Sequence, residues 1–188
     1  AKCRGRSVHG KLMDDGFPMC TFAGMWKVIG VMSGSSLDGL DVALCSFGNK
    51  KDRWDYRILR ATTFPFPDVL HQRLTAIMDA SGLELARTHR DLGDFIGSAC
   101  LDLASGEKVD LVSSHGHTVF HKPGEGLTTQ IGCGAHITAR CGITTVCDFR
   151  TKDVAMGGQG APLVPLGEKL LFPEHDRFVN LGGISNIS

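Results

Sequence analysis

The chain has 188 residues, of which 42% are hydrophobic and 21% are charged, proportions typical of a globular protein. Twenty basic and twenty acidic side chains give a net charge of zero, so electrostatics offers no reason to expect nucleic acid or a membrane surface as a partner. No apolar run approaches the roughly 20 residues of a membrane span. The seven cysteines form no C-x-x-C pair, which disfavours a zinc site and favours a reducing cytoplasm.

Residues 1–24 differ in composition from the rest of the chain. They are basic at first, rich in glycine and without hydrophobic periodicity, and they lack the apolar core of a secretory signal. We interpret them as a leader or a disordered tail, with Met25 as a plausible natural start.

The segment 28–47 predicts a strand, a tight polar turn and a second strand. The turn and its exit comprise Gly34, Ser35, Ser36, Leu37, Asp38, Gly39, Leu40 and Asp41. Its small residues leave backbone N–H groups and hydroxyls free to face an anion such as phosphate. The carboxylates of Asp38 and Asp41 fit beside Mg²⁺, its waters or a donor hydroxyl. An ordinary hairpin with a glycine turn is the alternative, and neither of the two common Gly-rich nucleotide motifs is present.

Further elements follow from hydrophobic periodicity. A third strand is predicted over 56–66, and then a helix over 69–80 that is capped by Asp68. The buried stripe of that helix is predicted to contain Leu70, Leu74, Ile77 and Met78. A second helix is predicted over 83–104. The remaining predicted elements are strands over 109–113, 127–131 and 143–149, and helices over 135–140 and 166–172.

Three histidines, His115, His117 and His121, follow the predicted strand 109–113. Loops at the carboxyl ends of strands hold ligands in open α/β sheets. Hydrogen bonding to a sugar or polyol is the functional interpretation that we favour. A metal site is disfavoured because histidines on a strand alternate faces and no carboxylate lies close in sequence. The alternative is that these side chains only cap backbone groups.

Two acids and two bases come at the end of the predicted strand 143–149 and directly after it, namely Asp148, Arg150, Lys152 and Asp153. A flexible polar loop, GGQGAP, follows at 157–162. An arginine or lysine here can bind a carboxylate or a phosphate, and arginine can do so through two parallel hydrogen bonds. A solvated run of charges beside a surface loop is the alternative.

The last residues, 178–188, again have the pattern of strand, glycine turn and strand. Two such elements, one near each end of the chain, suggest two related lobes that close on a nucleotide. We therefore predict a first lobe over 25–177 and the beginning of a second lobe over 178–188.

Seven motifs follow one another along the chain: GSSLDGLD at 34–41, SHG at 114–116, QIG at 130–132, DFR at 148–150, DVA at 153–155, GGQGAPLVP at 157–165 and NLGGISN at 180–186. In this order they closely resemble the anhydro-N-acetylmuramic acid kinase family, over residues 25–188. The first and sixth motifs are highly specific to that family. This chain departs from the family at Ser35, where threonine is usual, at His117, where glutamine is usual, and near Cys133, where an acid or amide is usual.

The resemblance implies an α/β fold of the sugar kinase, actin and Hsp70 superfamily. This chain would form a ribonuclease-H-like first lobe, with a mixed sheet and flanking helices, plus the first hairpin of the second lobe. The implied enzyme converts 1,6-anhydro-N-acetylmuramic acid, ATP and water to N-acetylmuramic acid 6-phosphate and ADP in peptidoglycan recycling. We expect ATP and Mg²⁺ as its cofactors, a cytoplasmic location and a homodimer at full length.

The resemblance also assigns roles to residues. Residues 34–41 would wrap the ATP phosphates, with Asp38 at the Mg²⁺ ion, and Gly182 and Gly183 would form a second phosphate turn. The candidates for sugar binding are Ser114, His115, Thr118, Arg150 and Gln159.

In the family, the general-base aspartate lies in a Gly-Pro-Gly-containing motif shortly after the second phosphate turn. That position would fall beyond Ser188, so we expect no catalytic residue in this chain and no activity from residues 1–188 alone. Two alternatives stay open: another sugar or acid kinase of the same superfamily, and a truncated lobe that binds ligand weakly or not at all.

Overall fold

The computed structural model describes residues 25–50, 53–180 and 186–188. The first part is an antiparallel meander of three strands, β1 (Met25–Ser33), β2 (Leu40–Lys50) and β3 (Arg53–Phe64). Side chains alternate between the two faces of a strand, and the apolar ones on one face of β1 and β2 are buried. These buried residues are Ile29, Val31, Leu40, Val42 and Leu44. The predicted hairpin is confirmed, whereas the predicted leader 1–24 lies outside the described residues.

Three more strands complete a mixed sheet. They are β4 (Leu111–Lys122), β5 (Leu127–Ile131) and β6 (Thr145–Cys147). The strand order is β3-β2-β1-β4-β5, and β6 pairs with the first half of β4. Both β1 and β6 run parallel to β4. The carboxyl ends of β1 and β6 therefore both lie next to the middle of β4, at the same end of the sheet.

Strand β4 is longer than the sequence predicts, and this corrects the position of the SHGH motif. The motif was expected just after a strand that ends at residue 113, but it lies inside β4. Between the pairs Val31–Ser114 and Ser33–His117, one residue of β1 (Met32) lies opposite two residues of β4 (His115 and Gly116), which defines a β-bulge. Gly116 sits in this bulge with φ of 71°. Beyond the bulge, β4 continues as the antiparallel partner of β5.

Two helices, over residues 68–75 and 82–104, contribute buried side chains to the core on one face of the sheet. Helix α2 (Gly82–Ala104) begins at Ser81, whose hydroxyl accepts a hydrogen bond from the Glu84 amide at 3.2 Å. Its buried stripe continues the core of the strands and includes Leu92, Ile96, Ala99, Cys100 and Leu103. The predicted helix over 83–104 is confirmed.

Helix α1 (Asp68–Thr75) is shorter than predicted. Pro67 occupies its N-cap, so the prediction that Asp68 caps the helix is wrong; Asp68 lies in the first turn. A 3₁₀ turn (Ile77–Asp79) follows and carries Ile77 into the core. Met78, expected on the buried stripe, is 65% exposed because the change to 3₁₀ geometry rotates it outward.

Helix α3 (Gly134–Cys141) packs against α2 at two glycines. A Cβ atom at Gly97 would lie 2.6 Å from the Cβ of Arg140, and one at Gly93 would lie 2.7 Å from the carbonyl oxygen of Cys133. The close approach of the two helices therefore requires glycine at both positions. It also fixes the loop between β5 and α3, which borders the candidate site.

The last described elements are helices α4 (Thr151–Ala155) and α5 (Val164–Leu171) and the short strands β7 (Val179–Asn180) and β8 (Asn186–Ile187). Helix α4 was not predicted from sequence. Strands β7 and β8 pair antiparallel, as predicted, but Gly182 and Gly183 between them lie outside the described residues. Val179 and Ile187 are 63% and 76% exposed. None of the described helices combines the length and apolarity that crossing a membrane requires.

Candidate active site

The turn between β1 and β2 presents polar groups to solvent. The Leu37 amide donates to the Gly34 carbonyl at 3.2 Å and closes the turn, with Ser35 and Ser36 at its tip. Both serines and Asp38 are exposed. Leu37 has a φ of 58°, a left-handed conformation that is uncommon for a bulky residue and recurs at functional turns. Hydroxyls and one carboxylate are therefore available to a ligand.

Strand β3 supports this turn from one side. The Thr63 hydroxyl donates to Asp41 Oδ1 at 2.6 Å. A Cβ atom at Gly39 would lie 2.6 Å from Cγ2 of Thr63 and 2.8 Å from the carbonyl oxygen of Phe64, so only glycine allows this approach. The hydrogen bond to Thr63 thus holds Asp41 at the base of the turn. No described side chain of β3 holds Asp38 in this way. Sequence reasoning missed Thr63, because a strand register 22 residues away cannot be read from local pattern.

Strand β4 supports the turn from the other side. Ser33, the residue before Gly34, has its hydroxyl 3.0 Å from Nδ1 of His117. Both side chains are buried, and they join the parallel strands β1 and β4. Burial lowers the pKa of His117, and the neighbouring His115 lowers it further.

A cavity of about 340 Å³ lies beside the middle of β4 and the carboxyl end of β6. Most of the residues that line it have polar side chains, and they come from α2, β4, β5, the start of α3, the end of β6 and the segment after β6. The lining residues are His89, Ser114, His115, Thr128, Thr129, Gln130, Ile131, Gly132, Gly134, Cys147, Asp148 and Thr151. Its size is at the lower end of the range for small-molecule sites.

Two polar atoms in the residues that line this cavity lack partners. Within the described part of the chain, neither Oγ of Ser114 nor Oε1 of Gln130 has a hydrogen-bond partner, although both atoms are buried. Ser114 is 0% exposed. A buried hydroxyl or amide oxygen without a partner costs free energy, so such groups usually meet a ligand or water. The cavity is therefore suited to a ligand rich in hydroxyl groups.

His115 is fixed in one neutral form by two contacts. Its Nδ1 lies 3.1 Å from the Gly116 carbonyl, which only accepts, so Nδ1 carries the proton. Its Nε2 accepts from Arg150 Nε at 2.9 Å. Burial is the main cause that lowers the pKa of His115, and the Arg150 charge adds to it. His115 therefore orients Arg150 and the cavity wall, and does not serve as a free base.

Arg150 and Asp153 together hold the glycine-rich loop. Arg150 Nη1 donates to the Gly160 carbonyl at 2.5 Å, and the Gly160 amide donates to Asp153 Oδ2 at 2.6 Å. A Cβ atom at Gly158 would lie 2.3 Å from that carboxylate, so the loop has room only for glycine there. The charged residues after β6 thus form a structural clamp, and the interpretation as a merely solvated charge run is wrong for these two.

The five predicted sugar-binding residues are only partly gathered at the cavity. Ser114 and His115 line it. Thr118 accepts a 3.4 Å hydrogen bond from Gln130, a lining residue, and Arg150 bonds to His115. Gln159 is exposed on the glycine-rich loop and does not line the cavity, so its role stays a prediction.

Most of the lining residues were not predicted as site residues, and His89 and Gln130 are two of these. His89 appeared in the sequence only as a member of the apolar stripe of α2. In the structure its Nδ1 accepts from the Gly132 amide at 3.1 Å, and burial, with a smaller effect from His136, lowers its pKa. Gln130 belongs to the QIG motif, and its place in that motif could have identified it as a site candidate.

A larger groove of about 810 Å³ lies at the opposite end of β1–β3. Its lining includes three cationic side chains, Lys27, Arg57 and Arg60, and both Lys27 and Arg60 form ion pairs with Glu107. No group of three or more histidine, cysteine or acidic side chains suited to a metal ion occurs in the ranges that the structure describes.

A mixed sheet with flanking helices, a polar turn after β1 and a cavity beside it are compatible with one lobe of a sugar kinase or an actin-like ATPase. Comparison with known proteins narrows this class. A family model described as anhydro-N-acetylmuramic acid kinase matches residues 26–188. The chain therefore belongs to the anhydro-N-acetylmuramic acid kinase family.

Curated relatives with this name support the assignment. The protein of Vibrio vulnificus (strain CMCP6) is 42% identical over 174 residues, which cover 85% of this chain and 46% of the relative. The protein of Picosynechococcus is 37% identical over 172 residues, with coverage of 86% and 45%. The protein of Pseudomonas fluorescens (strain Pf0-1) is 38% identical over 171 residues, with coverage of 85% and 46%. The chain thus spans about half the length of the curated relatives it matches.

Proposed function

We propose that this chain provides the phosphate turn and one wall of the sugar site of an ATP-dependent kinase. The proposed reaction converts 1,6-anhydro-N-acetylmuramic acid, ATP and water to N-acetylmuramic acid 6-phosphate and ADP. The proposal rests on one observation: the polar turn and the cavity lie at the same end of the sheet. The turn 34–41 follows the carboxyl end of β1, and the cavity with Ser114 adjoins the same region of β4. Ligands of open α/β sheets bind at such ends.

The residues of the turn would bind and orient the nucleotide. Backbone N–H groups and the hydroxyls of Ser35 and Ser36 are suited to phosphate oxygens, since small residues let the backbone approach an anion. The exposed carboxylate of Asp38 is of the oxygen type that Mg²⁺ prefers alongside substrate phosphates, so Asp38 is the residue that would hold the ion. Mg²⁺, when bound, neutralises charge on the transferred phosphoryl group.

On the sugar side, Ser114 and Gln130 would supply the missing hydrogen bonds to hydroxyl groups. Arg150 would fix His115 and offer its remaining N–H groups to a carboxylate, which N-acetylmuramic acid carries. These residues bind and position, and positioning alone can account for roughly 7–11 kcal/mol of a barrier. The group that activates water is expected beyond Ser188, in the motif that the family resemblance implies.

The finer assignments belong to the same proposal. We propose a ribonuclease-H-like topology for residues 25–177 and a second lobe that starts at 178, with Gly182 and Gly183 as its phosphate turn. A cytoplasmic location and a homodimer of the full-length kinase stay predictions. A different sugar or acid kinase of the superfamily is the second candidate, since its phosphate turn would look the same.

A chimeric enzyme tests the proposal directly. Residues 25–188 are joined to the part of the Vibrio vulnificus relative that follows its matched segment, and ADP release is measured with a coupled assay. We expect turnover that requires anhydro-N-acetylmuramic acid. In the chimera, Ser114→Ala should raise the KM for the sugar, whereas Ser46→Ala, at a buried serine that does not line the cavity, should not.

The outcomes separate the candidates. Turnover with another sugar or acid, but not with the anhydro sugar, would favour the second candidate. A folded chimera without turnover on any acceptor would refute the assignment of a functional kinase lobe. Equal KM changes in the two serine variants would remove Ser114 from the sugar site.

A further inference from the structure

One buried titratable side chain lies directly below the turn 34–41 and has no role in the proposed binding scheme. His117 is 5% exposed and contacts Ser33, the residue that precedes the turn. The contact joins residues 84 positions apart in sequence, so it depends on the parallel pairing of β1 with β4. A change in the His117 side chain therefore alters a contact of the residue that precedes the turn.

The groups around His117 leave its charge uncompensated. On β4 the neighbouring titratable group is His115, which is neutral and hydrogen-bonded to Arg150. On β1 its partner is the hydroxyl of Ser33, and on β5 the residue opposite it is Ile131. Neither of these carries a charge.

Three carboxylates lie on segments that adjoin this region: Asp38 and Asp41 of the turn and its exit, and Asp148 after β6, which accepts a hydrogen bond from the Thr151 hydroxyl. Asp38 is exposed to solvent, and Asp41 is bonded to Thr63. His89, whose Nδ1 accepts from the Gly132 amide, and the thiol of Cys147 also lie near this end of the sheet. No carboxylate is hydrogen-bonded to His117 within the described ranges.

We infer that His117 positions the phosphate-binding turn through Ser33 and takes up a proton when a polyphosphate occupies that turn. The inference rests on the proposed function, because it assigns the turn to phosphate binding. A neutral imidazole either accepts from or donates to the Ser33 hydroxyl, whereas an imidazolium only donates. Protonation therefore fixes the direction of this hydrogen bond and adds a positive charge beneath the anion.

The pH dependence follows from linkage. Burial lowers the pKa of His117 in the ligand-free chain, and a bound polyanion would raise it. Binding then takes up a proton, so affinity increases as pH falls through the pKa of the bound state. A rise of about one pKa unit corresponds to about tenfold tighter binding below both pKa values than above them.

The experiment uses the 188-residue chain and inorganic tripolyphosphate as the probe. Histidine ¹⁵N–¹H NMR spectra are recorded across pH with and without tripolyphosphate, at ionic strength matched with sodium chloride. We expect the His117 pKa to rise on addition of tripolyphosphate. The ring signals of His121, an exposed histidine on the same strand that bonds to Thr128, serve as the internal control and should respond much less to tripolyphosphate.

A variant separates the role in positioning from that in charge. His117→Gln retains a hydrogen-bonding group for Ser33 but cannot be protonated, so it should bind tripolyphosphate with an affinity that does not increase at low pH. His121→Gln should keep the pH dependence of the original chain. The wild-type titration needs no variant, so the inference can be tested even if His117→Gln does not fold.

The inference would be overturned if tripolyphosphate did not bind, or if it bound and left the His117 pKa unchanged. A pH dependence that persists in His117→Gln would assign the proton to another group and also overturn it. The proposed function would fail in a different experiment, the chimera assay, if the chimera turned over no acceptor. An active chimera with an unchanged His117 pKa would refute this inference alone.

Discussion

Gly116 offers a stringent test of how the site is built, because one methyl group there should disturb β5 and the cavity together. Its φ of 71° lies in the left-handed region, and a Cβ atom would be 2.3 Å from the carbonyl oxygen of Ile131. Ordinary contact for a Cβ atom begins at 3.4 Å, so β5 must move by about 1 Å to accept alanine. Ile131 is buried in the core, which resists that movement.

The expected cost has two parts. A left-handed conformation costs an alanine about 1–2 kcal/mol. Displacing a packed neighbour typically costs a further 1–3 kcal/mol or so. Gly116→Ala should therefore lower the free energy of unfolding by about 2–5 kcal/mol.

Gly126 provides the matched control. Its φ of 70° is almost the same, but a Cβ atom at this position would have nothing within 4 Å of it. Gly126→Ala should therefore show only the conformational cost of about 1–2 kcal/mol. The difference between the variants isolates the contact with β5.

Urea unfolding, followed by circular dichroism, measures both variants. With a slope of about 2 kcal/mol per molar urea, the midpoint of Gly116→Ala should lie about 0.5–1.5 M below that of Gly126→Ala. Equal midpoints would show that β5 yields without cost, and the bulge would then not be a rigid part of the site.

Three further predictions concern charged and titratable groups. Asp38→Asn in the chimera should reduce Mg-ATP turnover without moving the urea midpoint, because Asp38 is exposed; unchanged turnover would remove its assigned role. Arg150→Lys should increase proteolysis of the glycine-rich loop and raise the KM for the sugar. The reason is that one ammonium group cannot reproduce the contacts of the guanidinium with both His115 and the Gly160 carbonyl. Wild-type cleavage rates would contradict the role of Arg150 in holding the loop. Burial lowers the pKa of His89, His115 and His117, so the folded state binds fewer protons than the unfolded state at low pH. The free energy of unfolding should therefore fall as pH drops below about 6.5. Replacing all three histidines with glutamine should flatten this dependence, and an unchanged slope would contradict the prediction.

Local patterns were sufficient for elements whose signals lie within a few residues. The hairpin of β1 and β2, helix α2 and strand β5 were all predicted with small errors at their ends. Each shows clear periodicity, bounded by a turn or a cap. The predicted turn tip at Ser35 and Ser36 is also confirmed, because small polar residues between two apolar runs have few other conformations.

The continuation of β4 was not predicted, because the strand was predicted to end at residue 113, before Gly116. A glycine with positive φ either terminates a strand or forms a bulge, and the choice depends on whether a partner strand is present beyond it. Here β5 supplies that partner through the pair His117–Ile131. The same limit applies to α4, a short helix in a segment whose glycines predicted only a loop.

The candidate site shows why motif recognition and site construction are different problems. The residues of the turn 34–41 are contiguous, so a sequence pattern identifies them. Their placement depends on Thr63 from β3 and His117 from β4, which approach through strand register. A turn transferred without these partners would keep its composition but lose the contacts that hold Ser33 and Asp41. The proposed phosphate binding should therefore depend on the sheet as much as on the motif. Variants at Thr63 and His117 should affect it, although neither residue belongs to the turn.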